Sequence, residues 1–110
     1  MKFSDRLRVK ICCISSIEEA QLAVREGADA LGLVSRMPSG PGVIPEELIA
    51  EIVRTIPPPI ASFLLTSQQD VDEIIHQQNR TGANTIQICD RLLHGTHSEL
   101  RKRLPGIGLV

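Results

Sequence analysis

Three cysteines carry the most reactive side chains of this chain, and two of them, Cys12 and Cys13, are adjacent. Their number is odd, and their spacing is not that of a disulfide framework. We therefore expect free thiols, which are typical of proteins in the reducing cytoplasm.

Cys89, His94 and His97 are candidate metal ligands, because their sulfur and nitrogen donors suit zinc. The spacing contains neither a C-x-x-C pair nor an H-E-x-x-H frame. His94 also precedes Gly95, which indicates a loop. A solvated pair of histidines before a helix is the favoured interpretation, and we expect no metal and no other cofactor.

The S-G-P-G segment at residues 39–42 could present backbone N–H groups to an anion, as glycine-rich turns do. Pro41 removes one of these donors, and no G-x-x-x-x-G-K pattern follows. An ordinary flexible loop is therefore favoured.

Length and charge exclude several classes of function. The chain has 110 residues, 42% of them hydrophobic, which suits one domain over residues 1–110. Its net charge is −1 and it has no Trp or Tyr, so it lacks the positive field and the stacking platforms that nucleic acids require. Its apolar runs are too short to span a membrane, and its first ten residues lack the apolar middle of a signal peptide. We expect a cytoplasmic protein with neither nucleic-acid nor membrane partners.

Strand-like and helix-like segments alternate along the whole chain. The predicted strands cover residues 7–13, 29–34, 60–65 and 84–89, and a fifth strand begins at residue 107. Helices are expected to begin after Ser16, at Pro45, at Ser67 and at Ser98, and residues 35–43 form a loop. This order of four β-α units and a stub predicts a parallel sheet with crossover helices.

One short motif occurs twice, as R-E-G-A-D at residues 25–29 and as R-T-G-A-N at residues 80–84. Each copy leads from a predicted helix into a strand. The repeat is either a common helix-to-strand turn or the trace of a duplicated quarter of a barrel, and the sequence leaves both interpretations open.

Side-chain alternation indicates on which side of the sheet the helices lie. In two predicted strands an apolar face opposes a polar or small one. In the first strand the apolar face carries Val9, Ile11 and Cys13, and the other face carries Arg8, Lys10 and Cys12. In the fourth strand the apolar face carries Ile86 and Ile88, and the other face carries Thr85, Gln87 and Cys89. A doubly wound sheet would be apolar on both faces. The pattern favours a curved sheet with helices on one face, as in a β/α barrel, over the flavodoxin-like alternative.

Several motifs are spread along the chain: K-I-C at residues 10–12, G-A-D-A-L-G at residues 27–32, P-E at 45–46, P-P at 57–58 and N-T-I-Q at 84–87. Together they resemble the phosphoribosylanthranilate isomerases of tryptophan biosynthesis. The resemblance covers nearly the whole chain but only the N-terminal half of that family's eight-fold barrel. It implies a (βα)4 half-barrel of the TIM-barrel type, with parallel strands, helices on one face and a short fifth strand.

The same resemblance implies an Amadori rearrangement, the conversion of an aldose to a ketose. The family's general base is a cysteine at the end of strand one, which corresponds to Cys12; an inert buried thiol is the alternative. Such a base must ionise near neutral pH, and Lys10 is the positive neighbour on the same face. The family's loop arginine, which holds the anthranilate carboxylate, aligns with Pro41, so Arg36 is the nearest substitute. Gln87 is the other residue expected to bind the phosphorylated sugar-anthranilate ligand.

The chain also departs from the family pattern. The glycine that usually follows the catalytic cysteine is Cys13, and the His-Gly after strand four is Cys89-Asp90. The general-acid aspartate of strand six and the phosphate-binding loops belong to the family's second half. We therefore expect little or no turnover from these 110 residues alone, and the alternative function is a non-catalytic, self-associating half-barrel.

A half-barrel has two open sheet edges and a concave face that carries Ala61, Phe63 and Leu65 or the set of opposite register. Two copies can pair strand one of each with the far edge of the other, closing an eight-stranded barrel-like assembly. The sequence therefore predicts a homodimer.

Overall fold

In the computed structural model, which describes residues 7–110, strands and helices alternate in the predicted order. Residues 1–6, which make up most of the N-terminal segment compared with a signal peptide, lie outside the described residues. The strands are β1 (Lys10–Ile11), β2 (Ala30–Val34), β3 (Ala61–Thr66), β4 (Thr85–Ile88) and β5 (Gly108–Leu109). The helices are α1 (Ile17–Arg25), α2 (Glu46–Thr55), α3 (Val71–Thr81) and α4 (His97–Arg103). No helix in this part of the chain is long and apolar enough to cross a membrane.

All five strands are parallel, and their order in the sheet is their order in the chain. Because parallel crossovers are right-handed, this order places every helix on the same face. The main core lies there, where Leu31, Leu33 and Leu64 of the sheet and Ile49 and Ile52 of α2 are fully buried. A doubly wound sheet would reverse its strand order, so the flavodoxin-like alternative is excluded.

The sheet curves away from its helices. In a flat sheet, β1 and β4 would lie about 14 Å apart, since two strands separate them. Yet the Lys10 side chain of β1 reaches Gln87 of β4, with Nζ 2.5 Å from Oε1. The predicted half-barrel is confirmed, and the face that carries these two side chains is called here the concave face.

The predicted alternation holds in β3 and β4. In β3, Leu64 packs among the helices and Thr66 donates a hydrogen bond to Gln77 of α3, which leaves Ala61, Phe63 and Leu65 on the concave face. In β4, Ile86 is buried against α3 and α4, and Gln87 lies on the concave face.

The predicted start of α3 at Ser67 is wrong. The helix begins at Val71, because the Asp70 carboxylate accepts a hydrogen bond from the Asp72 N–H and so provides the N-cap. Ser67 instead donates to the carbonyl of Arg36 in the neighbouring loop. In the same way Thr96 caps α4, which begins at His97 rather than at Ser98.

The repeated helix-to-strand motif has the same structure in both copies. Gly27 and Gly82 adopt left-handed conformations, with φ of 99° and 75°. The Asp29 carboxylate accepts a hydrogen bond from the N–H of Val9, and the side-chain amide oxygen of Asn84 accepts one from the N–H of Ser62. Each motif therefore links its strand to the preceding strand. A common helix-to-strand turn and a duplicated unit would both produce this link, so both interpretations of the repeat stay open.

Candidate active site

Cys12 lies one residue past β1, at the carboxyl end of the sheet, and its side chain is exposed. It packs over Gly32 of β2, where an added Cβ would approach the Cys12 Sγ to 2.7 Å. Gly32 is on the concave face, because Leu31 and Leu33 on either side of it are buried among the helices. The predicted orientation of Cys12 is therefore correct, and a glycine makes room for its thiol.

Lys10 is held on the concave face by two contacts. Its ammonium group donates to Gln87 and lies 4.5 Å from the centre of the Phe63 ring. Sequence analysis missed this contribution of Phe63, although the alternation in β3 could have indicated it.

The positive charge of Lys10 acts on the surrounding thiols. Desolvation raises the pKa of Cys89, and the charge of Cys12 raises it slightly further. A backbone hydrogen bond with Thr66 and the charge of Lys10 oppose this rise. Lys10 also works against the raised pKa of Cys13. The pKa of both thiols is still raised overall, and the charge of Lys10 only reduces that rise.

The predicted position of Cys13 is wrong. Strand alternation would place it beside Val9 and Ile11, facing the helices. Instead its φ is 59°, in the left-handed region, and Ile14 fills the core position with no exposed surface. This conformation ends β1 early and turns the Cys13 side chain toward the loop at residues 35–43.

Cys13 packs closely against that loop. Its Sγ lies 3.8 Å from the carbonyl oxygen of Pro41, and an added Cβ on Gly42 would come within 2.7 Å of the Cys13 Cβ. Desolvation raises the pKa of the Cys13 thiol, and the charge and hydrogen bonding of Cys12 raise it further. The two adjacent thiols therefore interact with each other.

Arg36 lies two residues past β2, at the same end of the sheet as Cys12. Its carbonyl accepts a hydrogen bond from Ser67, and it contributes to an open groove between two loops. The groove is lined by Arg36, Met37, Pro38, Ser67 and Gln68. The structure thus brings Lys10 and Gln87 into contact on the face that carries Cys12, and places Arg36 in an adjoining loop.

The residues considered for zinc are not assembled into a site. Within residues 7–110, no three or more His, Cys, Asp or Glu side chains are grouped so that they could hold a metal ion. The backbone of His94 bonds to Gln69 and Val71, in the loop before α4, and His97 is the first residue of that helix.

No family model matches the sequence. The N-(5'-phosphoribosyl)anthranilate isomerase 2 of Methanosarcina mazei is 34% identical to it over 105 residues, which cover 94% of this chain and 46% of that protein. The solved N-(5'-phosphoribosyl)anthranilate isomerase of Pyrococcus furiosus superposes with a TM-score of 0.81 at 34% identity, over 94% of this chain and 50% of that one.

The chain is phosphoribosylanthranilate isomerase-like. It spans about half the length of the curated relatives that it matches. A further solved phosphoribosyl anthranilate isomerase, with a TM-score of 0.71 at 27% identity over 90% of this chain and 48% of that one, is in complex with reduced 1-(o-carboxyphenylamino)-1-deoxyribulose 5-phosphate. The resemblance in the sequence motifs is thus confirmed over nearly the whole isomerase-like chain.

Proposed function

We propose that this isomerase-like half-barrel carries the general-base half of a phosphoribosylanthranilate isomerase site. The observation that supports the proposal best is the position of Cys12, an exposed thiol at the carboxyl end of β1 beside Gly32 of the concave face. Catalytic residues of β/α barrels lie at this end of the strands. The reaction is the family's Amadori rearrangement, which moves protons within one molecule and needs no external oxidant.

In this proposal Cys12 acts as a thiolate and removes the proton from the sugar carbon. The positive charge of Lys10, held by Gln87 and Phe63, stabilises negative charge at this end of the sheet. Proton transfer by one positioned group accelerates a reaction by about a hundred- to ten-thousand-fold.

Gln87 and Arg36 are proposed to bind the phosphorylated sugar-anthranilate. The Gln87 amide faces the same side as Cys12, while Arg36 lines the groove beside it and replaces the arginine expected at Pro41. A guanidinium group suits the anthranilate carboxylate, because its paired donors match the two carboxylate oxygens.

The general acid of the family belongs to a sixth strand, and residues 7–110 form five. The acid is therefore proposed to come from a longer parent chain or from a second polypeptide. In this proposal, Cys12 is the proton-transfer group that the described residues supply.

The proposal extends to assembly and location. We propose a homodimer, because β1 and β5 leave two sheet edges open. We propose a cytoplasmic location, because Cys12, Cys13 and Cys89 are free thiols.

A fluorescence assay with phosphoribosylanthranilate tests whether this chain supplies the general base without the general acid. We expect turnover by the 110-residue chain to stay near the uncatalysed background, because the acid is missing. Strong turnover that disappears in Cys12→Ser would contradict the proposal that the chain holds only the base.

Protection from alkylation tests the ligand site without requiring turnover. We expect reduced 1-(o-carboxyphenylamino)-1-deoxyribulose 5-phosphate to slow the reaction of Cys12 with iodoacetamide. The protection should weaken in Arg36→Ala and persist in Arg25→Ala, an arginine in the last turn of α1. Equal alkylation rates with and without this ligand would contradict the proposed site.

A further inference from the structure

One backbone angle takes the side chains of Cys12 and Cys13 out of strict alternation at the end of β1. In a regular strand, successive side chains point to opposite faces, so adjacent cysteines would be kept apart. The left-handed conformation of Cys13, with φ of 59°, interrupts this alternation. As a result Cys13 leaves the helix-facing side, and its thiol lies against Pro41 and Gly42 at the strand end where Cys12 is exposed.

Two glycines provide the space in which this pair lies. Gly32 of β2 lies beneath Cys12, and an added Cβ there would come within 2.7 Å of Sγ. Gly42 lies against Cys13, and its added Cβ would come within 2.8 Å of Sγ. Cys12 is exposed and Cys13 is half-buried, so a small reagent reaches the pair from solvent.

We propose that Cys12 and Cys13 are a reversible redox pair that forms a vicinal disulfide with a low-molecular-weight disulfide as the oxidant. The thiolate of Cys12 attacks one sulfur of the oxidant, which forms a mixed disulfide and releases one small thiolate. The thiolate of Cys13 then attacks the Cys12 Sγ, forms the bond between the two residues and releases the second small thiolate. The two protons lost by the cysteines go to the two released thiolates, and the two electrons reduce the oxidant.

The proposed disulfide between Cys12 and Cys13 would be easily reduced. Neighbouring Cα atoms across a trans peptide are about 3.8 Å apart, whereas disulfides usually join Cα atoms at about 4.4–6.8 Å. Such strain makes a disulfide labile and suited to regulation. Oxidation would also remove the Cys12 thiolate, and this consequence for catalysis rests on the proposed function.

Peptide mapping after treatment with oxidised glutathione tests the pair. Trypsin cleavage after Lys10 and Arg25 leaves both cysteines in residues 11–25, while Cys89 lies in residues 81–91. We expect the first peptide to lose two hydrogens and to regain them with dithiothreitol. In Cys13→Ser the reaction should stop at a glutathione adduct on Cys12, and in Cys89→Ser it should proceed as in the parent chain.

Three results would overturn the redox pair. They are a glutathione adduct on Cys12 that accumulates equally with and without Cys13, a cross-link between residues 11–25 and 81–91, and no reaction of Cys12. None of these readouts requires catalysis, so they are distinguishable from a failure of the proposed isomerase function. If the disulfide forms but Cys12 has no catalytic role, the redox pair stands and the proposed function fails.

Discussion

Cys13 adopts a backbone conformation that suits glycine better than any residue with a Cβ. Its φ is 59°, and a left-handed conformation costs an ordinary residue about 1–2 kcal/mol. Glycine is also the residue that usually follows the catalytic cysteine in the family that the sequence resembles. Here a cysteine adopts a conformation that a glycine at this position would favour.

The strain at Cys13 predicts that Cys13→Gly stabilises the chain. We expect the free energy of unfolding to rise by about 0.5–1 kcal/mol, because the relief of strain exceeds the extra backbone entropy of glycine. Urea unfolding measures the change. Cys13→Ala is the matched control, since it removes the thiol and keeps the strain. A glycine variant no more stable than the alanine variant would contradict this account.

At this scale, the sequence predicted the side-chain orientations wherever the strand is regular. Lys10, Cys12 and Gln87 face the predicted side because alternation depends only on strand geometry. Cys13 does not, because a single left-handed residue interrupts the alternation and a cysteine carries no signal for that conformation. A glycine at this position would have given the signal.

At the scale of elements, a buried glutamine joins two helices to the sheet. Gln77 of α3 is 2% exposed. Its amide oxygen accepts a hydrogen bond from Thr66 of β3 at 2.5 Å, and its amide nitrogen donates one to Glu46 of α2 at 3.1 Å. The buried face of α3, which includes Val71, Ile74 and Ile75, therefore contains a polar connection.

This connection predicts a large loss of stability in Gln77→Ala. The substitution leaves the fully buried Thr66 hydroxyl without its acceptor, which costs about 1–3 kcal/mol. Thermal and urea unfolding measure the loss. Asn79→Ala, an exposed position on the same helix, is the control and should change the stability little. Equal stabilities of the two variants would contradict the importance of the connection.

The order and type of the elements could be predicted because hydrophobic periodicity recurs in each β-α unit and a glycine or proline follows each helix. The start of α3 could not, since Ser67 and Asp70 are both good N-caps. The choice between them coincides with a tertiary contact, the bond from Ser67 to the Arg36 carbonyl. Such a contact has no local signal in the sequence.

At the scale of the whole molecule, the open edge at β1 carries exposed apolar side chains. Val9, Ile11 and Leu22 are 46%, 41% and 49% exposed and border a groove between β1 and α1. At the opposite edge β5 pairs with β4, so the chain stub occupies the place that a partner's β1 would otherwise take. A partner must therefore pair with β5 or displace it, instead of closing the predicted eight strands directly.

The open β1 edge predicts self-association. We expect sedimentation at micromolar concentration to give about twice the 12.0 kDa of one chain. Leu22→Lys should shift the equilibrium toward the monomer, because it places a charge in the apolar groove. Val43→Lys, at a similarly exposed position in the loop before α2, is the control. A stable monomer of the parent chain across this range would contradict the proposed dimer.

The central claim, that Cys12 supplies the general base, is tested most directly in a complete barrel. In a chimera, these 110 residues replace the matching half of the Pyrococcus furiosus relative, and kcat/KM is measured for the chimera and its Cys12→Ser variant. We expect the substitution to lower kcat/KM by about a hundred- to ten-thousand-fold, the range of a single acid-base group, while Arg25→Ala leaves it unchanged. A Cys12→Ser chimera that is as active as its parent would contradict the claim.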